Sequence, residues 1–322
     1  MNRRQCLARG GAGLGVVTLA GCLGTLTGDD EGHEVADRTG ERALSRAVGE
    51  LNDAALAIYE ADLDAADADD VEFDAAAPQA HLEQAADYLD TAESELDGRD
   101  ADLAELRAYA DVLAVVVETT AVVTDGALTD EIEQVSAALE AEGDDDLADA
   151  QETIDQRTST LEAAGAEFAE ATAELAALEE DRLSDLAVIA LEEIESGVDE
   201  LESVLEAQTA LAAGYDVLLG GYDHLETGRE YADDEDHEAA AAAFREAKQE
   251  FEAATETFES PDEDAPSNLA EAFDTAHCQS HNLTDAAANF AAAADASKEY
   301  DLSTAQQRQS EAEDALEAAR AC

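Results

Sequence analysis

Negative charge is the feature that most limits what this chain can fold into. The sequence carries 81 acidic residues against 16 basic ones, for a formal net charge of −65. Such charge is typical of intrinsically disordered acidic chains. Alanine, leucine and valine are nevertheless abundant and recur with helical spacing, so we expect disorder in a linker and not in the body. With seven phenylalanines, seven tyrosines and no tryptophan, the core must use small side chains, which favours long helices packed closely side by side.

The basic residues also limit the environment and the partners. Only two of them are lysines, Lys248 and Lys298. Scarce lysine and a carboxylate-covered surface resemble proteins of halophilic archaea, in which dense salt shortens the Debye length from about 8 Å at ~0.15 M to about 3 Å near 1 M. The same negative field repels nucleic-acid phosphates, whose binding depends on Lys and Arg. We therefore expect no nucleic-acid partner.

The amino terminus has the features of an export signal. Arg3 and Arg4 precede a Gly/Ala/Val-rich stretch from Gly10 to Gly21 that is too short to cross a bilayer as a stable helix. The arginine pair followed by Leu7 resembles a twin-arginine export signal. This resemblance implies that residues 1–21 are removed and that the chain is exported already folded.

The end of this stretch has the features of a lipid attachment site. Leu19, Ala20, Gly21 and Cys22 resemble a lipobox, in which cleavage before the cysteine follows lipid attachment to its sulfur. The alternative is an ordinary cleaved signal with an incidental cysteine. A lipid on Cys22 implies a stable anchor on the extracellular face of the cell membrane, because two acyl chains hold a protein there lastingly. Residues 22–40 then predict a flexible acidic tether.

The body, residues 41–322, is predicted to be all-α. Apolar residues fall three and four positions apart, and strand-like alternation is almost absent. Glycine or proline marks breaks at Asp97-Gly98, Asp125-Gly126, Gly143, Pro261 and Pro266. The valine-rich segment 112–123 could form a strand, but its helical flanks favour a buried helix.

Three segments share one heptad pattern of large apolar residues. The triads are Leu82-Leu89-Leu96, Ile154-Leu161-Phe168 and Phe244-Phe251-Phe258, and Leu316 echoes them in the last helix. Each marked helix follows a more apolar one, which predicts about four antiparallel helical hairpins in residues 41–97, 101–180, 181–260 and 267–322. Stacked hairpins form an irregular solenoid or an elongated helical bundle.

The third hairpin resembles a tetratricopeptide hairpin. Gly220, Gly221 and Tyr222 lie in its first helix, the segment from Asp236 to Phe244 opens the second, and Pro261 follows. The family's fixed 34-residue spacing does not extend over the whole chain. The resemblance implies a scaffold that binds peptides or partner proteins.

One predicted helix carries a candidate metal site. Asp274, His277, Cys278 and His281 are spaced so that most of them share one side, and a histidine pair four residues apart suits a transition metal. Alternatively, Cys278 forms a disulfide with Cys322, since these two cysteines remain once Cys6 is removed and Cys22 is lipidated. Such a bridge would stabilise the last helix by about 3 to 4 kcal/mol in the chain-entropy model. The sequence leaves both interpretations open.

A glycine-interrupted helix provides a candidate binding groove. Tyr215, Tyr222 and Tyr231 recur on it, and its glycines permit a kink or close helix approach. The sequence shows no phosphate-binding loop, nucleophile elbow or catalytic triad order, so we expect no enzyme and no cofactor other than the metal considered above. We therefore expect a lipid-anchored surface scaffold that binds another surface protein or a peptide, or alternatively a solute- or metal-binding lipoprotein.

Overall fold

The computed structural model describes residues 30–60, 73–141, 144–188, 191–259 and 267–322. Within these ranges the chain forms ten helices and no strand, which confirms the predicted all-α fold. The helices are α1 Asp30–Tyr59, α2 Ala76–Glu95, α3 Asp100–Val123, α4 Ala127–Ala141, α5 Asp144–Leu175, α6 Glu180–Asp185, α7 Leu191–Asp233, α8 His237–Phe258, α9 Ser267–Lys298 and α10 Leu302–Arg320. The predicted signal with Arg3 and Arg4 and the lipidation site Cys22 lie outside the described residues.

Helix α1 differs from the predicted domain boundaries. It begins at Asp30, inside the segment 22–40 that the sequence assigned to a tether. Gly40 is one of the glycines that led the sequence analysis to predict a flexible tether in segment 22–40. A Cβ at this position would overlap the side chain of Leu96, which follows α2. The glycine therefore allows close contact between helices.

The helices form one continuous hydrophobic core. The main packing follows chain order: α1 packs on α2, α7 on α8, α8 on α9 and α9 on α10, while α5 packs on α3, α4 and α7. Two of the four predicted hairpins have a different composition. Region 101–180 contains three helices, and the short α6 precedes α7, which runs for 43 residues or about 65 Å.

Glycines on α7 face phenylalanines on α8 in a contact that we call the glycine–phenylalanine seam. Its pairs are Gly214 with Phe258, Gly221 with Phe251, and Gly228 with Phe244. A Cβ at any of these glycines would overlap the opposing ring. The three phenylalanines of α8 are buried because a glycine at every second turn of α7 leaves room for each ring.

The valine-rich segment is a buried helix, as predicted. In α3, Val112, Val116, Val117 and Val123 are all buried. The stretch Asp100–Leu139 is the one helical region among the described residues that is long and apolar enough to cross a membrane. Helix α3 packs against α2, α5 and α7, and 44% of the apolar window of this stretch is buried.

The last helix, α10, is held by little buried surface. Its buried residues are Ala305, Ala312 and Ala319, which we call the alanine seam. Leu302 at its start is 67% exposed. Because alanine buries little area, the packing of α10 on α9 contributes less stabilisation than that of the other long helices.

Candidate functional site

A large cavity lies among the last four long helices. Its volume is about 810 Å³, within the range of small-molecule and cofactor pockets. Phe244 of α8 and Phe290 of α9 stack at 5.2 Å between ring centroids on one wall. Ala293, Ala294 and Ala305 extend this apolar surface. We call this cavity the α7–α10 groove.

Charged groups of both signs line the groove. Arg229 places its guanidinium carbon 5.6 Å from the centroid of the Phe290 ring and pairs with Glu226 one turn away. Arg320 lies at the end of α10, and Asp233 and Glu313 supply carboxylates. A ligand with an apolar side and both charge signs, such as a peptide, therefore finds complementary groups here.

One face of α10 forms the length of the groove wall. The residues that line it recur three or four apart from the first turn to the last: Leu302, Ala305, Gln306, Gln309, Glu313, Leu316, Glu317 and Arg320. These positions extend over about 27 Å at 1.5 Å per residue. The groove is therefore long enough for about eight residues of extended peptide.

The three candidate groove tyrosines lie in different surroundings. Tyr215 is 1% exposed and meets the Phe258 ring edge-on at 5.4 Å. Tyr222 meets Phe251 in the same way at 5.5 Å, whereas Tyr231 is 42% exposed near the end of α7. The structure places the first two in the packing around the glycine–phenylalanine seam, and none of the three lines the α7–α10 groove.

The two C-terminal cysteines are joined. A disulfide connects Cys278 of α9 to Cys322, which follows α10, with 6.0 Å between their Cα atoms. Asn282 donates from Nδ2 to the Cys278 carbonyl at 2.9 Å. The bridge therefore fixes the end of α10 to the middle of α9.

The same bond changes the chemistry of the candidate metal face. Cys278 offers no thiolate in the disulfide, and His277 Nε2 lies 3.2 Å from Glu259 Oε1. The rings of His277 and His281 are stacked with centroids 6.4 Å apart. Across the described ranges, Asp274 and these two histidines do not form a group of three converging donor atoms.

A carboxyl pair lies at the contact between α5 and α7. Asp216 faces Asp155 and accepts a hydrogen bond from Gln151 Nε2. Burial, together with the hydrogen bond and charge of Asp155, raises the pKa of Asp216 to about 6. This carboxyl therefore gains a proton close to neutral pH.

Sequence reasoning missed the groove because its residues come from four helices and carry no shared motif. The available signal was Gln309, a groove residue that occupies the heptad position filled by Leu82, Ile154 and Phe244 in the other marked helices. Searches against protein-family models, curated proteins and solved structures find no match to this chain.

Proposed function

We propose that this protein is an exported, lipid-anchored surface scaffold that binds a peptide segment of another surface protein in the α7–α10 groove. The observation that carries the proposal is the groove itself, an 810 Å³ cavity with a stacked Phe244–Phe290 wall and charges of both signs. Its length suits a peptide better than a compact solute. A scaffold of stacked helical hairpins, as in tetratricopeptide proteins, offers surfaces of this kind.

The proposed location on the cell surface rests on the sequence. Arg3, Arg4 and Cys22 supply the features of twin-arginine export and lipid attachment, and the acidic composition is typical of a halophilic cell surface. Replacing Cys22 by Ser should move the protein from the membrane fraction to the medium. Membrane retention of that variant would argue against the anchor.

Two glutamines on α10 provide a matched test of binding. Both are exposed; Gln309 donates to Glu313 at 3.1 Å and Gln307 donates to Glu311 at 2.8 Å. Gln309 lines the groove, whereas Gln307 does not. A photoreactive phenylalanine is placed at each position in turn, and intact cells are irradiated. The residue at position 309 should crosslink to a segment of another surface protein, and the residue at position 307 should not.

The crosslinked segment then becomes the probe. The synthetic peptide, labelled with a fluorophore, should bind the purified protein in a polarisation titration. Gln309→Trp should weaken binding by about tenfold or more by filling the groove, and Gln307→Trp should leave it unchanged. Equal crosslinking at both positions, or equal binding by both Trp variants, would contradict a role for the groove.

A further inference from the structure

Two helices at the other end of the chain bring three donor side chains together. Glu50 and Asp53 lie one turn apart on α1, and His81 lies on α2. His81 Nδ1 is 2.7 Å from Glu50 Oε2, and one donor atom from each of the three residues lies within 4.8 Å of the others. Over the described ranges, this is the one such group of three or more His, Cys, Asp or Glu side chains.

The arrangement differs from an ordinary ion pair by its third member. His224 and Glu246 provide the comparison, since His224 Nδ1 lies 3.6 Å from Glu246 Oε2 without forming part of a three-donor group. In the first group, Asp53 brings a second carboxylate close to a histidine that already has a carboxylate partner. Two carboxylates at this distance repel each other, and a cation between them removes the repulsion.

The donor set indicates which cation would bind. One imidazole nitrogen and two carboxylate oxygens, with water in a fourth position, form an open tetrahedral site of the kind that zinc occupies. Adjacent ligand atoms in such a site are about 3.3 Å apart for bonds near 2.0 Å, so small side-chain rotations would suffice here. Imidazole favours zinc, nickel and copper over magnesium and calcium.

We propose that Glu50, Asp53 and His81 bind a divalent transition-metal ion of the zinc class. The ion links α1 to α2 and leaves one coordination position open to water. This site is independent of the α7–α10 groove and of the face at His277 and His281. Metal binding therefore stabilises the first helical hairpin whether or not the protein binds a peptide.

The test is a zinc titration of the purified, disulfide-bonded chain in concentrated potassium chloride. Millimolar magnesium is included to occupy weak sites made of carboxylates alone. The unmodified chain should bind one zinc ion tightly and show a higher thermal midpoint with zinc than without it. Cobalt, used in place of zinc, should give visible absorption bands typical of a tetrahedral site.

Two variants test the proposed ligands, and a third is the control. His81→Ala and Asp53→Asn should each weaken zinc binding by about tenfold or more and abolish the zinc-dependent rise in the thermal midpoint. His224→Ala, which removes a comparable histidine, should behave like the unmodified chain. Asp53→Asn keeps the size of an exposed side chain, so it tests the site even if His81→Ala disturbs the fold.

Two outcomes would overturn the proposal. One is the absence of stoichiometric zinc binding by the unmodified chain in the presence of magnesium. The other is tight zinc binding that survives both His81→Ala and Asp53→Asn; its loss in His281→Ala would then place the site on the face of α9.

Discussion

Gly221 on α7 lies directly against the ring of Phe251 on α8. A Cβ at Gly221 would lie 2.5 Å from Phe251 Cε1 and 2.6 Å from Cδ1, well inside van der Waals contact. At the neighbouring Gly220, no atom beyond the adjoining backbone of α7 lies within 4 Å of the place where a Cβ would stand. Two adjacent glycines in the same helix therefore have different roles.

Gly221→Ala should destabilise the protein. The added methyl group forces α7 and α8 apart or moves the Phe251 ring, and overpacking of this kind costs about 1 to 3 kcal/mol. The free energy of unfolding, measured by urea titration in concentrated salt, should fall by that amount.

Gly220→Ala is the control for that experiment. Alanine favours a helix interior over glycine by up to about 1 kcal/mol, and the methyl group here meets open space. The free energy of unfolding should rise or stay constant. A similar loss of stability in both variants would show that the glycine–phenylalanine seam does not depend on close contact.

Reduction of the Cys278–Cys322 bond should destabilise α10. The bond joins residues 44 apart in sequence, and loss of such a crosslink costs about 3 to 4 kcal/mol in the chain-entropy model. The little apolar area buried by the alanine seam does not replace the stabilisation that the disulfide gives to α10. A reducing agent should lower the thermal midpoint of the unmodified chain, and the double variant Cys278→Ser/Cys322→Ser should have the lower midpoint with or without it. A midpoint that does not respond to reduction would contradict this role.

Asp216 should make stability depend on pH. Because its pKa is raised to about 6 in the folded state by burial and by Asp155, compared with about 3.9 in the unfolded chain, protonation favours folding. The stabilisation that protonated Asp216 gives to the folded state is fully present below about pH 4 and is lost as pH rises through about 6. Asp216→Asn should therefore raise the free energy of unfolding more at pH 7.5 than at pH 5. Asp223→Asn, at an exposed position on the same helix, is the control, and the same pH response in both variants would contradict the assignment.

Salt should control whether the body folds. With a net charge of −65, self-repulsion is long-ranged at about 0.1 M potassium chloride and is screened within about 3 Å above 1 M. Helical circular dichroism should therefore fall on dialysis from about 3 M to about 0.1 M potassium chloride. Equal helicity at both concentrations would contradict the halophilic interpretation.

Much of the fold could be predicted because the apolar spacing is strongly helical and several turns carry glycine. Gly98 and Gly126 adopt positive φ angles of 78° and 68°, and both turns were predicted. The turn between α6 and α7 was missed because Ala187 adopts a φ of 63° there. A non-glycine residue in this conformation gives no sequence signal.

The site could be predicted less well, since a groove depends on which helix faces stay apart. Tyr215 and Tyr222 were suggested by their spacing, but the same spacing serves packing against Phe258 and Phe251. Glu50, Asp53 and His81 were not suggested at all, because their proximity depends on the register between α1 and α2. Local sequence carries no measure of such register.

The seven-residue period of the glycine–phenylalanine seam has a further consequence. If α8 slid along α7 by two helical turns, two of the three glycines would again meet a phenylalanine. The seam by itself therefore allows two registers of similar packing. The short turn after α7 removes this degeneracy: Glu235 adopts a φ of 62°, and the Asp236 side chain accepts a hydrogen bond from the Ala239 N–H at 3.1 Å. The seam holds α7 and α8 together, and the three-residue turn between them sets the register in which they pack.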